Sequence, residues 1–277
     1  MTIILLSILV ISSFLYFKKP KHNRDWRPEQ SKLPKVKIEG REVFIRNIRN
    51  CLYRSERDLD LSYYDKVFNL DDLKSIDLVV QPFKKIPFIA HVFLSFGFKD
   101  DKYISVSAEA RRKEKSIIEL NNFFRRISAP LIILFGFFRS FELIYIIADD
   151  ADIMRLRPLH HKDKVYIYPL KFKKEKIEKI FLDIMYRINV IEKKPEFYNT
   201  LLNSCVNNTL KHLKTGGDIK IPKSWRVFFP AKIDKLIYDI GIMRTRLSFE
   251  KIRETFLINK KAEKYQNENN YSSKIRS

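Results

Sequence analysis

The sequence predicts an α+β fold, with an antiparallel sheet packed against helices, behind an N-terminal transmembrane helix. Residues 2–17 carry no charge, the middle of the chain alternates apolar and polar residues, and Lys173–Lys194 places its isoleucines on one helical face. With 277 residues, 45% of them hydrophobic, the chain can bury one substantial core. We therefore expect an anchor over residues 1–19, a linker over 20–35, one domain over 36–257 and a disordered polar tail over 258–277.

The anchor prediction depends on the length and the end of the apolar segment. As a helix, its sixteen residues would measure about 24 Å, slightly less than a hydrocarbon core of about 30 Å. Lys18, Lys19 and Lys21 follow at once and can snorkel to cover the difference. The segment ends in bulky residues rather than the small residues of a cleavage site, which favours an uncleaved anchor over a signal peptide. Under the positive-inside rule, the same lysines favour a cytoplasmic domain.

Charge and cysteine content limit the classes of partner and cofactor. A net charge of +21 and a pI near 9.8 indicate an anionic partner, either nucleic acid or a membrane surface with acidic lipids. No nucleic-acid recognition motif or aromatic stacking pattern accompanies the charge, so we expect no nucleic-acid partner. Cys51 and Cys205 are far apart and offer neither a disulfide framework nor metal-ligand spacing. We expect no metal and no cofactor.

Several segments have the alternation and composition of strands. Two of these segments form a predicted hairpin, and the polarity of the facing residues indicates its register. If Phe98 pairs with Lys102, His91 lies opposite Glu109 and Ser95 opposite Ser105, whereas a shift by one residue would bring Ala110 opposite His91. We choose the first register because it matches polar with polar residues. The predicted strands are Arg41–Asn50, Ser62–Leu70, Leu73–Phe83, His91–Phe98, Tyr103–Arg111, Phe141–Ala148 and Val165–Leu170.

The predicted His91–Glu109 pair has two interpretations, one catalytic and one structural. Cross-strand neighbours have Cβ atoms about 5 Å apart, so the carboxylate can fix the imidazole tautomer and stabilise its cation. This is what the general base of a thiol needs. The alternative is an ordinary surface ion pair.

A cysteine stands at a predicted helix start. Asn, Ser and Thr residues surround Cys205, and such residues cap helix N-termini. The positive end of the helix would favour the thiolate and make the sulfur a nucleophile. The alternative is a buried cysteine that acts only as a small hydrophobe. Asp149, Asp150 and Asp152 are predicted to open another helix, and further short helices are predicted over Lys232–Tyr238 and Phe249–Leu257.

Eight ordered motifs resemble the Lnb N-terminal periplasmic domain family, over about residues 25–255. The resemblance implies a circularly permuted papain-like fold of the NlpC type, in which the histidine strand precedes the cysteine helix. The motifs are DWRPEQ (Asp25–Gln30), IRNIRN (Ile45–Asn50), YRSE (Tyr53–Glu56), AHVFLSFGF (Ala90–Phe98), SAEARRKE (Ser107–Glu114), FELIYII (Phe141–Ile147), VYIYPL (Val165–Leu170) and FYNTLLNSC (Phe197–Cys205).

The resemblance further implies a thiol enzyme with an acyl-cysteine intermediate and with Cys205, His91 and Glu109 as catalytic residues. Some members are similar to lipoprotein N-acyltransferases, which implies membrane phospholipid as donor and a lipoprotein or peptide as acceptor. The family usually has Asn-Asn-Cys where this chain has Asn203, Ser204 and Cys205. Members tied to acyl transfer also carry further transmembrane segments, so a membrane partner subunit is a possible requirement here.

The resemblance also bears on topology. It implies a periplasmic domain, against the lysines that follow the apolar segment. Translocation of a large domain overrides local charge, so we expect a single-pass inner-membrane protein whose domain faces the periplasm.

Three features bear on the substrate. Arg111 and Arg112 follow Glu109 and could bind a phosphate, as could Arg125 and Arg126, although a solvated charge run is the alternative. Asn203 could help to stabilise an oxyanion. The apolar run over residues 129–138 is either a core segment or a membrane-dipping element.

Three functions fit this sequence. The first is an acyltransferase, the second is a cysteine peptidase or amidase of the same geometry, and the third is a non-enzymatic basic module that binds nucleic acid or membrane.

Overall fold

The computed structural model describes residues 18–55, 58–84, 86–114 and 139–277. Residues 1–17 of the predicted anchor, Arg125, Arg126 and the apolar run over 129–138 lie outside these ranges. Within them, no helix is both long enough and apolar enough to cross a membrane.

The fold is mixed α and β, as predicted, and is organised on one eight-stranded sheet. Its order is β1-β2-β9-β8-β7-β6-β10, with β5 also paired to β2. All pairs are antiparallel except β2 with β9, which meet in parallel at Arg49 and Ala148. The strands are β1 (Lys35–Glu39), β2 (Glu42–Arg49), β5 (Tyr63–Asn69), β6 (Leu73–Phe83), β7 (Ile86–Phe98), β8 (Tyr103–Arg111), β9 (Glu142–Asp149) and β10 (Tyr166–Pro169), with β3 (Leu52–Tyr53) and β4 (Leu59–Asp60) forming a separate ribbon.

Helices cover both faces of the sheet. Alternate residues of the central strands therefore enter two separate apolar clusters, as expected for strands buried on both sides. The larger cluster includes α2, α3 and α4, and the smaller one includes α1 and the last two helices. The helices are α1 (Asp150–Arg155), α2 (Lys174–Lys193), α3 (Cys205–Thr215), α4 (Ile233–Asp239), α5 (Phe249–Thr255), α6 (Asn259–Tyr265) and α7 (Tyr271–Lys274).

The predicted hairpin register is confirmed where the strands pair, but pairing ends at Leu94 and Val106, so His91 and Glu109 are not partners in the ladder. Ser95 pairs with Ser105, and the Phe98 N–H donates to the Lys102 carbonyl at 2.7 Å. The prediction that an aspartate caps α1 is also confirmed, since the Asp149 carboxylate accepts from the Ala151 N–H at 3.0 Å.

The linker over residues 20–35 is an ordered part of the domain. The Arg24 Nε donates to Glu142 Oε1 at 2.7 Å, and Trp26 and Gln30 are buried. Sequence reasoning missed this because the segment has no periodicity, and its burial comes from contacts with β8 and β9 that are distant in sequence.

The polar C-terminal segment, predicted to be disordered, is folded, so this prediction was wrong. It forms α6 and α7, and Ala262, Tyr271 and Ile275 enter the smaller apolar cluster. Arg276 then reaches the sheet, where its guanidinium lies 2.7 Å from Asp77 Oδ2 and 2.9 Å from Asp150 Oδ2. Low hydrophobicity concealed these few buried residues, and the two carboxylates that receive the arginine lie far away along the chain.

Replacing Arg276 by alanine is expected to destabilise the fold by about 3–5 kcal/mol, because two buried carboxylates would lose their cation. Asp150 is fully buried and Asp77 is only 4% exposed. Urea unfolding followed by circular dichroism measures the effect, with Lys260→Ala as a control at an exposed lysine on α6. Equal stability of the two variants would show that the buried ion pair makes no net contribution.

Candidate active site

Cys205 is the first residue of a capped helix. The Ser204 hydroxyl accepts from the Asn207 N–H at 3.4 Å, and the Asn207 side chain accepts from the Ser204 N–H at 3.2 Å. This reciprocal capping box fixes the start of α3 at the cysteine, as the sequence predicted. The sulfur therefore lies at the positive end of the helix dipole, and the residue is 7% exposed.

The start of α3 lies against a part of β7 that pairs with β6 but not with β8. Pairing between β7 and β8 runs over Leu94–Gly97 and Tyr103–Val106. Earlier in β7, the Ala90 carbonyl lies 4.0 Å from Cys205 Sγ, and the Val92 carbonyl accepts from the Thr209 hydroxyl at 3.4 Å. Carbonyls that would otherwise face β8 thus contact α3, and the thiol comes to the backbone on either side of His91.

A serine connects the predicted base and its carboxylate. The His91 Nε2 lies 3.1 Å from Ser107 Oγ, and this hydroxyl donates to Glu109 Oε1 at 2.7 Å. The same His91 nitrogen lies 3.4 Å from Glu109 Oε1. Because Nε2 faces this pair, Nδ1 is the ring nitrogen left for the thiol.

The thiol and the imidazole interact, and each shifts the pKa of the other. Burial alone would raise the pKa of Cys205, but its hydrogen bond with His91 and the charge of that ring lower it below the usual value. Burial alone would lower the pKa of His91, but its hydrogen bonds with Cys205 and Glu109 raise it. Both shifts favour a thiolate beside an imidazolium.

Glu109 is held as a carboxylate. Burial would raise its pKa, yet the hydrogen bond with His91 and the charges of His91, Arg157 and Arg49 bring that pKa well below its ordinary range. The Gln30 amide donates to Glu109 Oε2 at 3.1 Å, and Arg157 lies 3.6 Å from Oε1. A carboxylate with these partners can keep the imidazole oriented and stabilise its positive charge.

Arg111, predicted to bind substrate, instead holds the N-terminal segment. It is 2% exposed, and its guanidinium donates to the Gln30 carbonyl at 2.9 Å and to the Ser31 carbonyl at 2.6 Å. The guanidinium also lies over the Trp26 ring at 4.4 Å. Arg111 lies two residues after Glu109 and thus on the same face of β8, where it contacts a segment that sequence reasoning treated as a linker.

Of the other two residues predicted to bind substrate, Asn203 supports a loop and Arg112 is half-buried near Glu109. Asn203 commits its amide hydrogens locally, because Nδ2 donates to Glu196 Oε2 at 3.1 Å and to the Phe197 carbonyl at 3.0 Å. Its side chain therefore supports the loop before α3 and is not placed as an oxyanion donor. Arg112 interacts electrostatically with Glu109, and burial lowers its pKa to about 10.

Four site residues were not assigned roles from sequence. Ser107, Gln30 and Arg157 contact the histidine or its carboxylate, and the Tyr198 phenol interacts with Cys205. Burial is the main reason that the pKa of Tyr198 is raised well above its usual value. Ser107 could have been found, because it lies two residues before Glu109 and thus on the same strand face. Tyr198 belongs to the same motif as Cys205, whereas Gln30 and Arg157 come from distant segments.

The family model for the Lnb N-terminal periplasmic domain matches residues 60–231, which is more than half of the chain. The chain belongs to this family. The matched region of the Lnb-type domain contains His91, Glu109 and Cys205, and the family description supports a domain that faces the periplasm. No curated protein and no solved structure matches this chain.

No group of histidine, cysteine and carboxylate side chains suited to holding a metal ion occurs in the part of the Lnb-type domain that the structure describes.

Proposed function

We propose that this chain is a membrane-anchored thiol acyltransferase of permuted papain-like fold, which forms an acyl-cysteine intermediate from membrane phospholipid. The observation that carries the proposal is that Cys205, whose pKa His91 lowers, is followed by the hydrogen-bonded series His91, Ser107 and Glu109. This series supplies a nucleophile, a proton carrier and an orienting carboxylate in one place. The apolar segment over residues 2–17 and the net charge of +21 support action at a membrane.

The proposed reaction has two balanced halves. The Cys205 thiolate attacks an ester carbonyl of the phospholipid, and His91 protonates the departing lysophospholipid alkoxide, which leaves a thioester on the sulfur. An amino group of a lipoprotein or peptide then attacks the thioester. His91 takes the proton of that amine, an amide forms, and the thiolate leaves. The Cys205 N–H and the Tyr198 hydroxyl are the proposed donors to the oxyanion of each step.

Incubation of the full chain with dipalmitoyl phosphatidylglycerol vesicles is expected to place a palmitoyl group on Cys205. Mass spectrometry of the tryptic peptide, with and without hydroxylamine, identifies the thioester. Cys205→Ala should abolish the adduct, and Cys51 serves as an internal control because it is a second buried cysteine, which interacts with Asp152, Arg49 and Tyr53.

The same test separates the candidate functions. Cleavage of a peptide substrate without any adduct would favour a cysteine peptidase or amidase, for which the same three residues would serve. A native membrane extract would supply a partner subunit. If the chain shows neither reaction in such an extract, the enzyme proposal is overturned.

A further inference from the structure

Four exposed aromatic side chains lie together beside the thiol site. Phe88 is 52% exposed, Trp225 59%, Phe228 55% and Phe229 42%. The Phe229 ring centroid lies 6.2 Å from that of Phe88 and 5.7 Å from that of Trp225. We name these four residues the aromatic surface. Contiguous exposed apolar groups of this kind mark interaction sites.

The charges around the aromatic surface match an anionic lipid interface. Residues 219–232, which supply three of its four rings, contain four basic residues and no acidic one. Lys220, Lys223 and Lys232 are exposed, whereas Arg226 pairs with Asp239 at 3.1 Å. Tryptophan and phenylalanine favour the boundary between headgroups and acyl chains, and lysines beside them attract acidic lipids.

The aromatic surface lies at the end of the sheet where the apolar sequences join the domain. Strand β7 begins at Ile86, two residues before Phe88, and neighbouring β8 ends and β9 begins at the paired residues Arg111 and Glu142. The Lys21 N–H lies 3.4 Å from Glu142 Oε1, and the Lys18 Nζ donates to the Arg139 carbonyl at 2.5 Å. Residues 2–17 and 129–138, both apolar in sequence, therefore connect to the domain at this end.

The thiol is at the same end. Phe88 precedes Ala90 by two residues, and the Ala90 carbonyl lies 4.0 Å from Cys205 Sγ. Two residues of an extended strand span about 7 Å. A bilayer that receives Phe88 would thus bring its outer acyl carbons close to the sulfur.

We propose that the aromatic surface docks on a bilayer that contains anionic phospholipid, so that this end of the sheet faces the membrane. The inference goes beyond the proposed function because it holds whether the thiol transfers an acyl group, hydrolyses a bond or does neither.

The chain contains two tryptophans, which permits a direct test on the full protein. Trp26 is 7% exposed and Trp225 is 59% exposed. In vesicles of brominated phosphatidylcholine with phosphatidylglycerol, we expect the emission of Trp225 to fall at least about two-fold relative to unbrominated vesicles. Trp225→Phe measures the background from Trp26, and Phe228→Ser with Phe229→Ser should reduce the quenching.

A second probe controls for orientation. Lys102 lies in the loop at the other end of β7, where Phe98 is ten residues, or about 33 Å, from Phe88. Lys102→Trp in the Trp225→Phe protein should not be quenched. If another protein covers the aromatic surface, Trp225 is expected to remain unquenched. Either that result or equal quenching of both probes would overturn the proposal. Cys205→Ala should leave the quenching unchanged, which separates this test from that of the chemistry.

Discussion

Iodoacetamide at neutral pH is expected to alkylate Cys205 at least about 100-fold faster than Cys51, because only thiolates react appreciably. His91 lowers the pKa of Cys205, whereas burial, with a smaller contribution from the Asp152 carboxylate, raises the pKa of Cys51 to about 12. The two cysteines are similarly enclosed, at 7% and 2% exposed, so their ionisation distinguishes them more than their access does.

The pH dependence of alkylation should also report the directions in which the pKa values of Cys205 and Cys51 are shifted. Because the pKa of Cys205 is lowered, the rate is expected to rise with pH through a midpoint below the ordinary cysteine value of about 8.5. Mass spectrometry of the two cysteine peptides over a pH series measures both rates. In urea, the two cysteines should react alike. Equal reactivity in the folded protein would mean that His91 does not activate the thiol.

Replacing His91 by alanine is expected to reduce thioester formation on Cys205 by about 10²–10⁴-fold, because the proton carrier is lost. The midpoint of Cys205 alkylation should move upward at the same time, since burial would then act without the hydrogen bond and the charge of the ring. Rapid-quench mass spectrometry with phospholipid measures the first effect, and the alkylation series measures the second.

Two variants make this prediction specific. Glu109→Gln should preserve the hydrogen bonds in part but remove the charge that stabilises the imidazolium, so its pH dependence should shift without complete loss of reaction. His160→Ala changes a histidine that contacts Tyr53 rather than Cys205 and should leave both measurements unchanged. An equal effect of the two histidine variants would contradict the assigned role of His91.

The local parts of the site were predictable from sequence. The capped start of α3 at Cys205 follows from side chains within three residues, and the Ser95–Ser105 register follows from matching polar positions across a short loop. Local hydrogen bonding and strand alternation determine both features, and neither depends on the remainder of the fold. The meeting of the helix and the hairpin had no such local rule.

The incorrect predictions have a common physical origin. Arg111 and the polar segment after residue 257 were judged by their own polarity, which favours exposure. In the structure, the Arg111 guanidinium donates to the carbonyls of residues 30 and 31, and Arg276 forms ion pairs with two carboxylates. Buried charge is retained when distant groups neutralise or hydrogen-bond it, and composition does not reveal those groups.

The sequence by itself determined the strand alternation, the helix cap at the cysteine and the register of the hairpin near its loop. Only the tertiary structure decided three features: the pairing of β7 with β8 ends at Leu94, the cysteine lies against a β7 carbonyl that is not paired with β8, and Arg157 and Gln30 contact the carboxylate. The difference is one of separation along the sequence. Hydrogen bonds along a helix and across a tight hairpin join residues that are near in the chain. The packing of α3 against β7 joins residues separated by more than one hundred positions, through buried surface that many sequences could supply.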